Sequence, residues 1–116
     1  GGTLAQLGLK LDYLISSRQS RPIPPPLHTV KPTAKFQRDL KRVQKRGYDI
    51  SLLTDIIKKL ADREPLPEKN RDHSLSGEYV NCRECHITPN WLLVYEIDNG
   101  ELILYLTRTG THSDLF

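Results

Sequence analysis

Three of the four histidines lie in separate stretches of the chain, from which their side chains could converge on one site. These are His73, His86 and His112, and Arg108 lies close to the last of them. An imidazole, with a pKa of about 6.5, can take or give a proton near neutral pH. A guanidinium pairs bidentately with phosphate oxygens. Two proton-transfer groups and a cation are what metal-free cleavage of a phosphodiester requires, so this set predicts such a site.

A second pattern, CRECH at residues 82–86, matches the attachment motif of c-type haem. The chain has no methionine to complete a Met/His ligand pair, and no secretory signal of an exported protein is evident. Zinc is also disfavoured, because there is one cysteine pair and strand geometry points Cys82 and Cys85 to opposite faces. We therefore expect no cofactor, no metal and free thiols, which are typical of the cytoplasm.

The length of 116 residues suits one domain with an appendage, and no apolar run is long enough to cross a membrane. The net charge of +3 is unevenly spread. Residues 31–71 hold 12 Lys/Arg against 6 Asp/Glu, and residues 72–116 hold 2 against 7. The basic middle is suited to a polyanion such as RNA, although a solvated helix face explains any single lysine equally well.

The apolar spacing predicts an α+β domain that positions these residues. A helix is expected over residues 3–16, followed by a Pro-rich linker up to residue 26. Residues 27–32 predict an edge strand or extended lead-in, because Pro32 cannot donate to a sheet. Helices follow over 34–46, ended by Gly47, and 51–63, capped by Asp49. Three antiparallel strands are expected over 79–86, 91–97 and 101–107, with Asn99-Gly100 in the last turn.

Three sequence blocks make the chain resemble a known family from residue 31 to its end. They are DHSLSG at 72–77, RECH at 83–86 with PNWLLVY at 89–95, and RTGTHSDLF at 108–116. Together, in this order and with these separations, they resemble the YafQ-type toxins of the RelE/ParE superfamily. These are bacterial toxin–antitoxin ribonucleases. One departure is Asn90, where the family often has an aspartate before the tryptophan.

The resemblance implies a RelE-like fold, with a two-helix hairpin on a small curved antiparallel sheet. It also implies a ribosome-dependent endoribonuclease that cleaves mRNA in the A site. The expected partners are the ribosome, mRNA and a cognate antitoxin, with operator DNA reached through that antitoxin. The alternative is a non-catalytic RelE/ParE-fold protein that binds a protein target or antitoxin without cutting RNA.

The resemblance also assigns roles to individual residues. His86 and His112 are expected to share the acid and base roles, His73 to orient substrate or phosphate, and Asn90 to assist. Arg108 is expected to hold the phosphate, and Phe116 to stack on an unpaired base. The remaining substrate-binding candidates are Trp91 and the basic helix residues Lys35, Arg38, Lys41, Arg42, Lys45 and Arg46.

Residues 1–26 are expected to form an N-terminal helical extension and linker outside the toxin-like domain of residues 27–116. Three origins remain open for this segment. It could be an extension specific to the toxin, antitoxin-derived or engineered sequence joined to it, or a vector remnant.

Overall fold

The computed structural model describes residues 25–116. The helix predicted over residues 3–16 and most of the Pro-rich linker lie outside these residues, so the N-terminal extension stays a prediction. Within the described part of the chain, no helix is long and apolar enough to cross a membrane.

The described chain forms one five-stranded sheet and three helices. The strands lie side by side in the order β1-β5-β4-β3-β2. The elements in chain order are β1 (Thr29–Pro32), α1 (Ala34–Lys45), α2 (Ile50–Ala61), β2 (His73–Ser74), β3 (Arg83–Thr88), β4 (Trp91–Asp98), β5 (Ile103–Gly110) and α3 (His112–Leu115). The α+β class, the helical hairpin and the three consecutive antiparallel strands β3, β4 and β5 are as the sequence predicts.

The sheet is mixed rather than wholly antiparallel. The lead-in segment is the edge strand β1, and it pairs in parallel with β5, with Thr29 opposite Ile103. Pro32 is tolerated there because an edge strand has one side without a ladder partner. The sequence predicts the edge strand but not its direction. A parallel pair needs a long connection, and residues 33–102 provide one between β1 and β5.

Both long helices begin and end where local chemistry requires. Thr33 Oγ1 accepts from Phe36 N at 3.1 Å, and Asp49 Oδ1 accepts from Ser51 N at 3.0 Å. Both are N-caps, and the second was predicted. Gly47 has φ +82°, and Tyr48 N donates to Val43 O at 3.1 Å, which closes a Schellman motif after α1. Gly47 therefore ends the helix as the sequence predicts.

Two strands begin later than predicted, because their first predicted residues belong to turns. Gly77–Tyr79 forms a 3₁₀ turn with φ +68° at Gly77, so β3 begins only at Arg83. Glu101 N donates to Asp98 Oδ1 at 3.0 Å, and Leu102 has φ +56°. The hairpin turn therefore extends to residue 102, and β5 runs to Gly110.

Alternate residues of β4 build two apolar clusters, one on each face of the sheet. Trp91, Leu93 and Tyr95 face the helical hairpin and belong to the main core. Leu92 and Val94 face the opposite side, where a smaller cluster also takes in Cys82 and Leu115. The second cluster matters for the site because it holds the short helix α3 against the sheet.

A buried ion pair joins α1 to β5. Asp39 lies on the apolar face of α1 and is 1% exposed. Its carboxylate accepts from Arg108 Nε at 2.6 Å and Nη2 at 3.1 Å, and also from Thr109 N at 3.1 Å. This carboxylate raises the pKa of Arg108 above its usual value. The pair sets the position of α1 relative to the strand that leads into the C-terminus.

Replacing Asp39 with Ala should lower the free energy of unfolding by about 3–5 kcal/mol, because Arg108 would keep a largely buried charge without a partner. Urea denaturation followed by circular dichroism measures this loss. The matched control is Asp55→Ala on the exposed face of α2, which should change stability by no more than about 0.5 kcal/mol. Equal effects of the two substitutions would contradict the structural role of Asp39.

Candidate active site

Two of the three predicted histidines line the same groove. His86 and His112 face it together with Asn90, and its volume is about 510 Å³. Tyr48, Pro89, Leu92, Thr111 and Ser113 complete the wall. The groove therefore brings together residues from the end of β3, the turn before β4 and the start of α3.

His86 is placed by an irregularity at the end of β3. The β3–β4 register shifts between His86 and Thr88, which turns the chain toward Pro89 and Asn90. His86 Nδ1 is 3.3 Å from Pro89 O, and Nε2 is 3.9 Å from Glu84 Oε1. One ring nitrogen therefore faces a backbone carbonyl, and the other faces a carboxylate.

His73 lies outside the groove wall but is held next to it by its loop. Asn70 is buried, and its amide donates to His86 O at 2.6 Å. Asp72 accepts from Tyr95 OH at 2.5 Å and from Arg83 Nη2 at 3.2 Å. These contacts tie the segment just before His73 to strands β3 and β4.

Glu84 connects His73 to His86. It is 6% exposed, and its Oε1 is 3.5 Å from His73 Nε2 and 3.9 Å from His86 Nε2. The other ring nitrogen of His73, Nδ1, lies 2.6 Å from Arg71 O. A carbonyl oxygen only accepts, so His73 Nδ1 carries a proton. The structure thus links His73 to the groove through one buried carboxylate.

His112 and Phe116 stack at the C-terminus. Their ring centroids are 5.1 Å apart at an interplanar angle of 34°, and Tyr79 meets Phe116 edge-on at 5.9 Å. Phe116 is nevertheless 55% exposed. An exposed aromatic ring beside a groove imidazole leaves a surface on which an unpaired base can stack.

Three of the predicted cations contact carboxylates, and the other four lie exposed on α1. Arg108 directs Nε and Nη2 to Asp39, and its Nη1 is 3.3 Å from Tyr79 OH. It therefore does not present the open bidentate fork for phosphate that the sequence predicts. Arg46 is likewise paired, with Asp114 at 2.7 Å. Arg42 lies 3.5 Å from Asp39 and 3.9 Å from Asp114. Lys35, Arg38, Lys41 and Lys45 are exposed on α1. Arg42 and Arg46 are also exposed, although each contacts Asp114.

Trp91 is a core residue rather than a substrate contact. It is 2% exposed, its Nε1 donates to Thr109 Oγ1 at 2.8 Å, and its ring meets Tyr48 edge-on. The substrate-binding assignment of Trp91 was wrong, because the alternation of β4 turns residue 91 toward the helices. Tyr48, which meets Trp91 edge-on, lines the groove instead.

The two cysteines belong to opposite faces of the sheet, as strand geometry predicts. Cys85 lies in the main core and Cys82 in the smaller cluster, and both are free. Burial raises the pKa of Cys85 to about 12, and it also raises the pKa of Cys82. Within residues 25–116, no three His, Cys, Asp or Glu side chains are grouped so as to hold a metal ion.

Sequence reasoning missed four residues that shape the site: Asp39, Tyr48, Glu84 and Asp114. Asp39 carried a signal, because it is the one acidic residue of α1 and follows Phe36 by three positions on the apolar face. Glu84 also carried one, since its spacing from His86 places both on one face of a strand. Asp114 follows Thr111 with the spacing of a capping box, but its pairing with Arg46 gave no local signal. Tyr48 gave none, because its role depends on partners distant in sequence.

A small α+β domain whose groove presents two imidazoles has the arrangement of an acid–base catalyst. Residues 28–116 match the model of a family described as the bacterial toxin of the type II toxin–antitoxin system, YafQ. The chain belongs to the YafQ family of type II toxin–antitoxin toxins.

Individual relatives agree with this assignment. The mRNA interferase toxin YafQ of Escherichia coli K12 is 34% identical over 85 residues, which are 72% of this chain and 90% of the relative. A metal-bound toxin from Helicobacter pylori is 44% identical with a TM-score of 0.72, over 76% of this chain and 98% of that one. YafQ in the E. coli DinJ–YafQ toxin–antitoxin complex is 33% identical with a TM-score of 0.68, over 75% and 94%.

Both thiols should resist alkylation in the folded protein. Burial excludes the reagent, and the raised pKa of each thiol keeps it protonated at pH 8, whereas alkylation requires the thiolate. Mass spectrometry after iodoacetamide treatment should find no modified cysteine in the native protein and two in urea. Rapid labelling of the native protein would contradict the burial of the two cysteines.

Proposed function

We propose that this toxin is an endoribonuclease that cleaves mRNA on the ribosome by metal-independent attack of a ribose 2′-OH. The observation that carries the proposal is that His86 and His112 line one groove together with Asn90. The relatives named mRNA interferase toxin YafQ support the same substrate class. The ribosomal A site is the proposed place of cleavage, in keeping with the family resemblance.

The reaction needs one base and one acid on opposite sides of the phosphate. The base takes the 2′-OH proton, the 2′-oxygen bonds to phosphorus, and the bond from phosphorus to the 5′-oxygen breaks. The acid gives a proton to the leaving 5′-oxygen. The products are a 2′,3′-cyclic phosphate and a 5′-OH. Each proton transfer by a positioned side chain contributes about 10²–10⁴-fold to the rate.

His86 and His112 are the proposed acid–base pair because both face the groove. His73 acts from outside the wall, where Glu84 links it to His86. Asn90 can hold a hydroxyl or phosphate oxygen by hydrogen bonding, but it cannot carry the proton that an aspartate could. The proton transfers therefore fall to the histidines.

Substrate binding falls mainly to exposed groups of α1 and of the C-terminal turn. Lys35, Arg38, Lys41 and Lys45 present positive charge on α1 that suits ribosomal RNA or mRNA phosphates. The exposed ring of Phe116 suits an unpaired base. Arg108 retains only Nη1 beyond its pairing with Asp39, so its proposed contribution is positive potential near the site and support of β5.

The proposed inhibitor is a cognate antitoxin, because the related YafQ is found in a complex with DinJ. A partner that binds the basic face of α1 would cover the surface that also suits RNA. Contact with operator DNA, reached through the antitoxin, completes the proposed set of partners.

His112→Ala should lower ribosome-dependent cleavage by at least about 10²-fold, because it removes one proton-transfer group. Primer extension maps the cleaved mRNA after induction, with and without ribosomes. His28→Ala is the matched control, since His28 is an exposed histidine at the start of the domain. Wild-type cleavage and growth arrest by a folded His112→Ala protein would rule out the assignment.

Asn90→Asp should retain cleavage and move the histidine-dependent limb of the pH–rate profile upward by roughly one unit. A carboxylate beside an imidazole favours its protonated form. The control is Asn81→Asp, which adds the same charge at an exposed position outside the groove wall. Single-turnover rates between pH 5 and 9 measure the shift, and identical profiles for all three proteins would mean that residue 90 does not act on either imidazole.

A further inference from the structure

The short helix α3 carries His112, yet four residues cannot hold a catalytic side chain by helical hydrogen bonding alone. Its position depends on Asp114. Asp114 Oδ2 accepts from Arg46 Nη1 at 2.7 Å, and Oδ1 accepts from Arg46 Nη2 at 3.0 Å. A guanidinium and a carboxylate joined by two parallel bonds fix an orientation as well as a distance.

The same carboxylate closes the start of α3. Asp114 Oδ2 accepts from Thr111 N at 2.9 Å, and Thr111 Oγ1 accepts from Asp114 N at 3.2 Å. This capping box spans His112, which lies between its two members. The pairing with Arg46 and the capping bonds together lower the pKa of Asp114 below its usual value. Asp114 therefore stays ionised through the range in which imidazoles titrate.

Gly110 leaves room for the side chain of Asp114. Gly110 has φ +153°, and a Cβ at this position would lie 2.9 Å from Asp114 Oδ2. A side chain there would collide with the ion pair, so glycine allows the close approach. Leu115, the next residue after Asp114, is buried in the smaller apolar cluster. The C-terminal turn is thus held from two sides.

We propose that Arg46, Thr111 and Asp114 form a C-terminal latch, in which Arg46 and Asp114 are positioning residues that hold His112 in the groove. The proposal rests on the function proposed above. Arg46 then has a role other than phosphate binding, because its pairing with Asp114 fixes the turn that carries His112. A misplacement of about 1 Å at a reacting group can cost about 10²-fold in rate.

The decisive test uses the opposite charges of the two residues. Arg46→Gln removes a positive charge and Asp114→Asn removes a negative one, so a purely electrostatic role in RNA binding predicts effects of opposite sign. The latch predicts that both substitutions lower the rate of the chemical step. Single-turnover cleavage of ribosome-bound mRNA at saturating toxin should fall about 10–100-fold in each. The double variant should lose no more than the worse single variant, because both break one interaction.

Matched controls separate positioning from charge. Lys31→Gln removes a positive charge from an exposed position of β1 and should change neither binding nor the saturating rate. Asp55→Asn removes a negative charge from the exposed face of α2 and should change neither. Arg46→Lys should restore part of the rate by restoring a single charge contact. Thermal unfolding confirms that each variant is folded, and the His112 ring resonances should lose their single well-defined environment in Arg46→Gln and Asp114→Asn.

The outcomes distinguish this proposal from the function on which it rests. If His112→Ala abolishes cleavage but Arg46→Gln and Asp114→Asn match their controls, the latch is wrong and the proposed function stands. Opposite effects of the two substitutions, or an additive double variant, would also overturn the latch. Full cleavage by His112→Ala would overturn the proposed function itself.

Discussion

The arrangement of this domain depends on one buried carboxylate. Asp39 lies on the apolar face of α1, where it accepts hydrogen bonds from the side chain of Arg108 and the backbone of Thr109. A charge so far from water is stable only with a partner. The pairing therefore requires α1 to cross β5 at this point. The strand is fixed two residues before Thr111, from which the C-terminal turn begins.

The candidate site is built beside this fixed strand from three short segments. The His73 loop, the bulge at the end of β3 and the C-terminal turn are each too short to hold a side chain alone. Asn70, Asp72 and Asp114 tie them to the sheet or to α1. Polar contacts, together with the apolar packing of Leu115, thus hold the histidine-bearing segments in place. Such sites tolerate little change in the supporting charges.

Local chemistry made much of the fold predictable. The stripe of Leu40 and Val43, the cap at Asp49 and the glycine after α1 defined the helical hairpin, and all depend on neighbours within a turn. The alternating residues of β4 likewise defined a strand with two buried faces. The parallel pairing of β1 was not predictable in this way, because it joins Thr29 to Ile103 across most of the domain.

The sequence by itself determined which residue types could carry the chemistry: three imidazoles, the aromatic ring of Phe116 and a basic helix. Only the tertiary structure decided which of them face the groove. Arg108 meets Asp39 across 69 positions and Arg46 meets Asp114 across 68. A cation that the fold pairs with a carboxylate is less available to bind phosphate. Which cations are paired depends on tertiary packing and not on sequence spacing. The burial of Trp91 was likewise not predictable from the sequence, because it depends on which face of the sheet the helices cover.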